Sequence, residues 1–245
     1  MKQGSFTIGE NINIAENVFL MRLYGDTSDI TRPGQFVNIR VGSAFLRRPI
    51  SVCDCEDGVL TIIYKIVGKG TSELSKAQIG EKLDLLTGLG NGYDTSLSGT
   101  TPLLIGGGVG VPPLYKLARE LSAQNKKVKV ILGFNTGKDV FFENEFALLG
   151  SEVTVTTVDG TKGVKGYVTD ALDLIGGYTY FFTCGPEPML KAVYHAAATE
   201  GQFSFEERMG CGFGACMGCS CKTLTGFKRI CKDGPILKKE EILWE

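Results

Sequence analysis

The stretch Cys211-Gly-Phe-Gly-Ala-Cys216-Met-Gly-Cys219 sets three thiols in the spacing C-x4-C-x2-C, and a fourth follows in Cys231-Lys-Asp-Gly-Pro235. Thiolates are soft ligands. This spacing with one distal cysteine is the plant-type pattern that holds a [2Fe–2S] cluster. Glycines 210, 212, 214 and 218 lie between the ligands. They allow sharp turns and bring backbone N–H groups close to the sulfurs. Two other readings stay open. Structural zinc takes short cysteine pairs, which Cys216 and Cys219 satisfy and Cys211 does not. Disulfides need an oxidising compartment. Cys221, a fifth thiol, sits too close to Cys219 for the cluster pattern, so the predicted ligands are Cys211, Cys216, Cys219 and Cys231.

A second chemistry is phosphate binding. The loop Gly106-Gly107-Gly108-Val-Gly110-Val-Pro-Pro113 runs from a short apolar strand, Pro102-Leu-Leu-Ile, into a helical pattern beginning at Leu114. Exposed N–H groups and the positive end of a helix favour an anion, and proline suits a first helical turn. Val111-Pro112 stands where the dinucleotide fingerprint has its third glycine, so a plain tight turn is the competing reading. Cys184-Gly185-Pro186 repeats the arrangement after the last strand. Open parallel sheets bind ligands at the carboxyl ends of their strands, so the two loops are expected to converge on one nucleotide. Nearer the start, Arg48-Pro49-Ile50-Ser51 sets a guanidinium beside a hydroxyl, a pair able to hold a phosphate and the edge of a flavin. Gly68-Lys-Gly70-Thr71 can offer N–H groups to a diphosphate. Alone, each also reads as ordinary surface or turn.

The elements that must position these groups divide by texture. Residues 6–8, 18–23, 35–41 and 59–67 are short β-rich runs separated by Gly, Pro, Asp and Ser, which suggests a barrel. A brief helical turn is expected at 71–75 and a glycine-rich exit at 86–93. From residue 101, strands at 102–105, 128–134, 152–158 and 178–183 alternate with helices at 114–121, 141–149, 168–175 and 187–198, which predicts a parallel sheet covered by helices. The expected divisions are 1–98, 99–202 and 203–245.

Composition excludes several classes. The formal net charge is −1, from 26 basic and 27 acidic residues, and no basic run suggests nucleic acid. The single histidine, His195, lies in a helical pattern and reads as a packed or surface residue. That removes most histidine-based acid–base mechanisms. The start, Met-Lys-Gln-Gly-Ser-Phe, lacks the apolar core of a signal peptide, and no apolar run reaches the roughly 18 residues of a membrane span. A soluble, reduced, cytoplasmic protein is expected.

Taken in order, Arg-Pro-Ile-Ser, Gly-x-Gly-Thr, Gly-Gly-Gly-x-Gly, Cys-Gly-Pro and the cysteine lobe resemble the ferredoxin reductase family over essentially the whole chain. The ending, with its fifth cysteine and Asp233-Gly-Pro235, resembles the electron-transfer subunits of dihydroorotate dehydrogenase B. NAD(P)H:ferredoxin oxidoreductase small subunits share the layout and are the alternative. A zinc-stabilised interaction module with a degenerate nucleotide fold is the alternative of another class. The resemblance implies an FAD-binding β-barrel, an α/β parallel-sheet domain for NAD and a small C-terminal [2Fe–2S] lobe. It implies that Arg48–Ser51, Ile63, Tyr64, Lys65, Gly70 and Thr71 hold FAD, and that Cys184 has a positioning role near the contact of nicotinamide and flavin. It also implies a permanent complex with an FMN-containing catalytic subunit, two copies of each chain. In such a relay, electrons from dihydroorotate pass through the cluster and FAD to NAD⁺ in pyrimidine biosynthesis. NAD is expected over NADP, because Gly133-Phe-Asn-Thr-Gly-Lys138 carries no arginine for a 2′-phosphate. Lys138 would supply charge without a bidentate fork.

Overall fold

The computed structural model describes residues 1–244. Strands β1 (Lys2–Ala15), β2 (Val18–Tyr24), β3 (Phe36–Ile39), β4 (Arg48–Glu56) and β5 (Val59–Lys65) come first, followed by the short helix α1 (Lys69–Leu74) and strand β6 (Lys82–Leu89). The six strands close into an antiparallel barrel in the order β1-β2-β5-β4-β3-β6. Alternation along the strands sends Val37, Ile39, Val52, Ile62, Tyr64 and Leu85 into the interior, as period-2 side chains require.

The texture change near residue 101 marks a second architecture. Strands β7 (Pro102–Gly107), β8 (Lys129–Phe134), β9 (Glu152–Thr157) and β10 (Val164–Lys165) form a parallel sheet with β11 (Tyr180–Cys184) and β12 (Gly201–Ser204). Helices α2 (Pro113–Ala123), α3 (Glu143–Leu148), α4 (Leu172–Ile175) and α5 (Glu187–Ala196) connect them. A barrel followed by a nucleotide-type parallel sheet is the fold the sequence predicts. The cysteine region adds a hairpin, β13 (Ser220–Thr223) and β14 (Gly226–Arg229), and the chain then returns as β15 (Ile236–Lys238) to pair antiparallel with β12.

Barrel and sheet share a core. Leu20, Cys53 and Ile63 on the barrel's outer face pack with Val111, Leu114 and Phe182. Arg119 on α2 reaches Asp54 at 2.8 Å and Glu56 at 2.6 Å on β4 and donates to the Cys55 carbonyl at 3.1 Å. Tyr93, 2% exposed, donates its hydroxyl to the Thr183 carbonyl at 3.1 Å and meets the Phe182 ring edge-on. A buried bond of this kind is worth about 1 kcal/mol. Tyr93→Phe is therefore expected to lower Tm by about 2–4 °C in a protein of this size without changing the secondary structure. An unchanged Tm in a thermal scan would show that the bond does not tie the two bodies together.

Candidate metal and nucleotide sites

The loop ahead of β13 wraps its own sulfurs. The N–H groups of Phe213 and Ala215 donate to Cys211 Sγ at 3.5 and 3.2 Å. That of Cys211 donates to Cys216 Sγ at 3.5 Å, and that of Cys231 to Cys219 Sγ at 3.4 Å. The thiols thereby fall into two pairs, Cys211 beside Cys216 and Cys219 beside Cys231. Burial pushes the Cys211 thiol up, but the N–H groups of Phe213, Cys216 and Ala215 outweigh it and bring it down to about 6. Burial and then the neighbouring Cys219 sulfur push Cys231 up to about 12. All eight cysteines are free. Zinc needs four sulfurs at about 2.3 Å from a single centre, whereas two sulfide-bridged irons take two and two. The donor set and its N–H groups fit a [2Fe–2S] cluster.

Long-range bonds set the lobe in place. Arg229 holds the Asp233 carboxylate through Nε and Nη2 at 3.0 and 3.2 Å and donates to the Gly214 carbonyl at 2.9 Å. Asn91 Nδ2 donates to the Ile236 carbonyl at 2.8 Å, and its Oδ1 accepts from the Ile236 N–H at 3.1 Å. Asn38 on β3 donates to the Cys211 carbonyl at 3.3 Å. Gly212, at φ +79°, leaves room for that amide, because a Cβ there would lie 2.3 Å from Asn38 Nδ2. The inner sulfurs of Cys219 and Cys231 are 2% exposed. Cys216 is exposed at the other end, beside Phe213 at 42% and Met217 at 56%.

The flavin motifs meet where the barrel opens. Strands β4 and β5 pair over Val52–Glu56 and Val59–Ile62, and their ladder stops there. Arg48–Ser51 and Ile63–Lys65 therefore face each other across an unpaired seam whose backbone groups can meet a ligand. Arg48 lies against the first turn of α1: a Cβ on Gly70 would stand 2.1 Å from Arg48 Nε. The Thr71 hydroxyl accepts from the N–H groups of Val67 and Gly68 at 2.9 and 3.3 Å, fixing the turn that leads into α1. Guanidinium, hydroxyl and helix start thus adjoin, a cradle suited to a diphosphate. Ile50 and Tyr64 point into the barrel instead. The Tyr64 hydroxyl donates to Asn11 Oδ1 at 2.9 Å, and Asn11 Nδ2 donates to the carbonyls of Leu74 and Ala77. These two side chains position α1, and at the seam Ile50 and Tyr64 present backbone.

The nucleotide loops converge as expected. Strand β11 lies beside β7 with Cys184 opposite Gly106. A Cβ on Gly110 would stand 2.3 Å from the Cys184 carbonyl oxygen and 2.6 Å from Gly185 Cα, so only glycine allows this approach. A Cβ on Gly107 would stand 2.4 Å from Met189 Sδ and 3.3 Å from Pro186 Cδ, while Gly108, at φ +51°, faces open space. Burial pushes the Cys184 thiol up to about 12, with Ser204 hydrogen-bonding it and Glu206 nearby. It is a neutral group at the end of β11, suited to positioning rather than nucleophilic attack. In the loop after β8, the Gly137 N–H donates to Thr161 Oγ1 at 2.7 Å, and Lys162 in the loop after β9 is engaged by Glu143.

Two stretches of the chain match known family models. Residues 206–243 match the family described as the iron–sulfur cluster binding domain of dihydroorotate dehydrogenase B, and residues 104–195 match the oxidoreductase NAD-binding domain. The dihydroorotate dehydrogenase B (NAD(+)) electron transfer subunit of Fusobacterium nucleatum subsp. nucleatum is 42% identical, with 99% of each chain aligned. That of Bacillus pumilus is 44% identical over 99% of this chain and 98% of its own. The chain belongs to the family of dihydroorotate dehydrogenase B electron-transfer subunits. A solved chain of the NADH-dependent reduced ferredoxin–NADP oxidoreductase superposes with a TM-score of 0.88 at 32% identity, covering 98% of this chain and 90% of that one. A ferredoxin NADP⁺ reductase from Neisseria gonorrhoeae, 18% identical at a TM-score of 0.70 over 80% of this chain and 90% of its own, shares the fold.

For a member of this family, the outlying residues also find their places. Trp244 folds back onto Tyr194, Phe203 and Phe205, with ring centroids 5.3–5.6 Å away. His195 is exposed on α5, edge-on to Tyr194. Among the described residues, no helix is long and apolar enough to cross a membrane.

Two outcomes are expected. Serine at Cys211, Cys216, Cys219 or Cys231 should each abolish bound iron, and Cys221→Ser should keep it. Full iron in Cys231→Ser, counted by metal analysis, would remove that residue from the ligand set. Gly110→Ala must push the two nucleotide loops apart, so KM for NADH should rise at least about tenfold, the equivalent of about 1.4 kcal/mol, with flavin content unchanged. An unaltered KM would dissociate this contact from nucleotide binding.

Proposed function

We propose that the chain conducts electrons between the FMN of a separate dihydroorotate-oxidising subunit and NAD⁺, by way of a [2Fe–2S] cluster and FAD. The setting is pyrimidine biosynthesis in the cytoplasm, in a permanent complex with two copies of each chain. The observation that carries this reading is the orientation of the cysteine lobe. Its inner sulfur pair is sealed against the barrel and sheet, and its outer end is exposed among Phe213 and Met217. An exposed sulfur end beside apolar Phe213 and Met217 suits electron exchange with another protein.

When bound, FAD exchanges a hydride with nicotinamide and single electrons with a cluster, and the protein supplies position and electrostatics. Arg48, Gly70 and Thr71 would hold its diphosphate, and Pro49, Ser51, Ile63 and Lys65 would line its ring along the open seam. The backbone of Gly106–Gly110, closed by Gly185 and Pro186, would hold the nucleotide. Cys184 keeps a neutral side chain at that junction.

A second reading is favoured by the 32% identity to the reduced ferredoxin–NADP oxidoreductase chain: a subunit that exchanges electrons with ferredoxin. Reconstitution separates the two. The purified chain should reduce dyes with NADH, and NADH should exceed NADPH in kcat/KM. It should oxidise dihydroorotate with NAD⁺ only after mixing with an FMN-containing catalytic subunit. Turnover of dihydroorotate by this chain alone, or failure to associate while ferredoxin is reduced efficiently, would overturn the assignment.

A further inference from the structure

Asn38 stands where the flavin seam and the cysteine lobe adjoin. On β3, Val37 and Ile39 enter the barrel, while Phe36 and Asn38 face outward toward the lobe. Across the ladder to β4, Asn38 is opposite Pro49 and Phe36 is opposite Ser51. Directly opposed residues share a face, with Cβ atoms about 4.5–5.5 Å apart. The outer face that bears two members of the flavin tetrad thus also bears the amide that holds the Cys211 carbonyl.

That amide is expensive to keep. Asn38 is 1% exposed, and its Oδ1 is buried with no hydrogen-bond partner among the described residues. Buried polar atoms are normally satisfied, and an apolar side chain of similar shape would remove the unmet demand. Packing alone would favour leucine here. The donor bond to Cys211 is what leucine cannot supply. Gly212 is fitted to it, because any side chain there would strike Asn38 Nδ2.

We propose that Asn38 is a positioning residue of the electron path. Its amide fixes the Cys211 side of the cluster against the flavin-bearing face. This rests on Cys211 being a cluster ligand. The bond ends on the Cys211 carbonyl, so it acts by holding the backbone from which Phe213 and Ala215 donate to the Cys211 sulfur. Hydrogen bonds to the sulfurs help set cluster potentials, so loosening that backbone should make the cluster harder to reduce.

The test uses the purified full-length chain loaded with FAD and iron, with Asn38→Leu and Asn38→Ala measured beside wild type. Wild-type iron content and its reduced-state paramagnetic signal establish the cluster itself, and their absence would refute the ligand reading rather than this one. In both variants the cluster's reduction equilibrium should move about tenfold toward the oxidised form, which is about 59 mV for a one-electron couple. After rapid mixing with NADH, flavin bleaching should keep its wild-type rate and cluster reduction should slow about tenfold. Loss of iron from both variants, while Cys221→Ser retains it, would also support an anchoring role for Asn38 at Cys211. Wild-type potential and wild-type cluster reduction in either iron-loaded variant would overturn the proposal.

Discussion

Sulfurs gathered in one small lobe repel one another as thiolates, a cost that the loop carrying them must offset. Burial first, and then the Cys219 sulfur beside it, push the Cys231 thiol up to about 12. Compensation comes from backbone N–H groups turned inward and from the metal that the sulfurs would share. Turning N–H groups inward denies them to a strand or helix, so the chain from 205 to 219 has no regular structure. A loop without a ladder needs external fastening. Arg229, at the Gly214 carbonyl, and Asn38, at the Cys211 carbonyl, provide it.

The same trade of ladder for ligand recurs at the flavin seam. A barrel satisfies its backbone by closing, but β4 and β5 part after Val52 and Ile62, leaving polar groups that a bound molecule can meet. The nucleotide loops use another form of it. There Gly110 approaches Cys184 so closely that the two loops meet. In all three places, the proposed binding groups lie where regular hydrogen bonding is interrupted and neighbouring side chains hold the gap open.

This explains which parts were legible in the sequence. Cysteine spacing and the glycines at close approaches have few chemical substitutes, so they stand out by residue type. Alternating strands and amphipathic helices gave the barrel and the parallel sheet. Strand β6, Lys-Leu-Asp-Leu-Leu-Thr-Gly-Leu, did not read as a strand: leucine and charge dilute its β character, and its closing glycine suggested an exit loop. Strands β12 and β15 are short and gain their identity only by pairing with each other. The fastening residues carried no signal at all. Asn38 and Cys211 are 173 positions apart, and Asn91 and Ile236 are 145 apart, so no local pattern could connect them. Tyr64 was picked out with the flavin residues by the family resemblance. Its ring turned inward to hold Asn11 and α1 because period-2 alternation assigns it to the barrel's interior.

The topology also bears on rigidity. The cysteine lobe is tied to the barrel through Asn38 and Asn91 and to the parallel sheet through β15 pairing with β12. Any hinge between barrel and sheet would shear it. The shared core around Ile63, Leu114 and Phe182, the Arg119 bridge to β4 and the buried Tyr93 bond all oppose such a hinge. Many two-domain proteins keep their interface polar and mobile, but here one continuous apolar core crosses it. Electron transfer between fixed sites gains from constant separation and needs no domain closure to assemble them. A chain that holds its proposed flavin seam, nucleotide loops and sulfur loop on one stiff frame therefore meets the physical demand of a conduit.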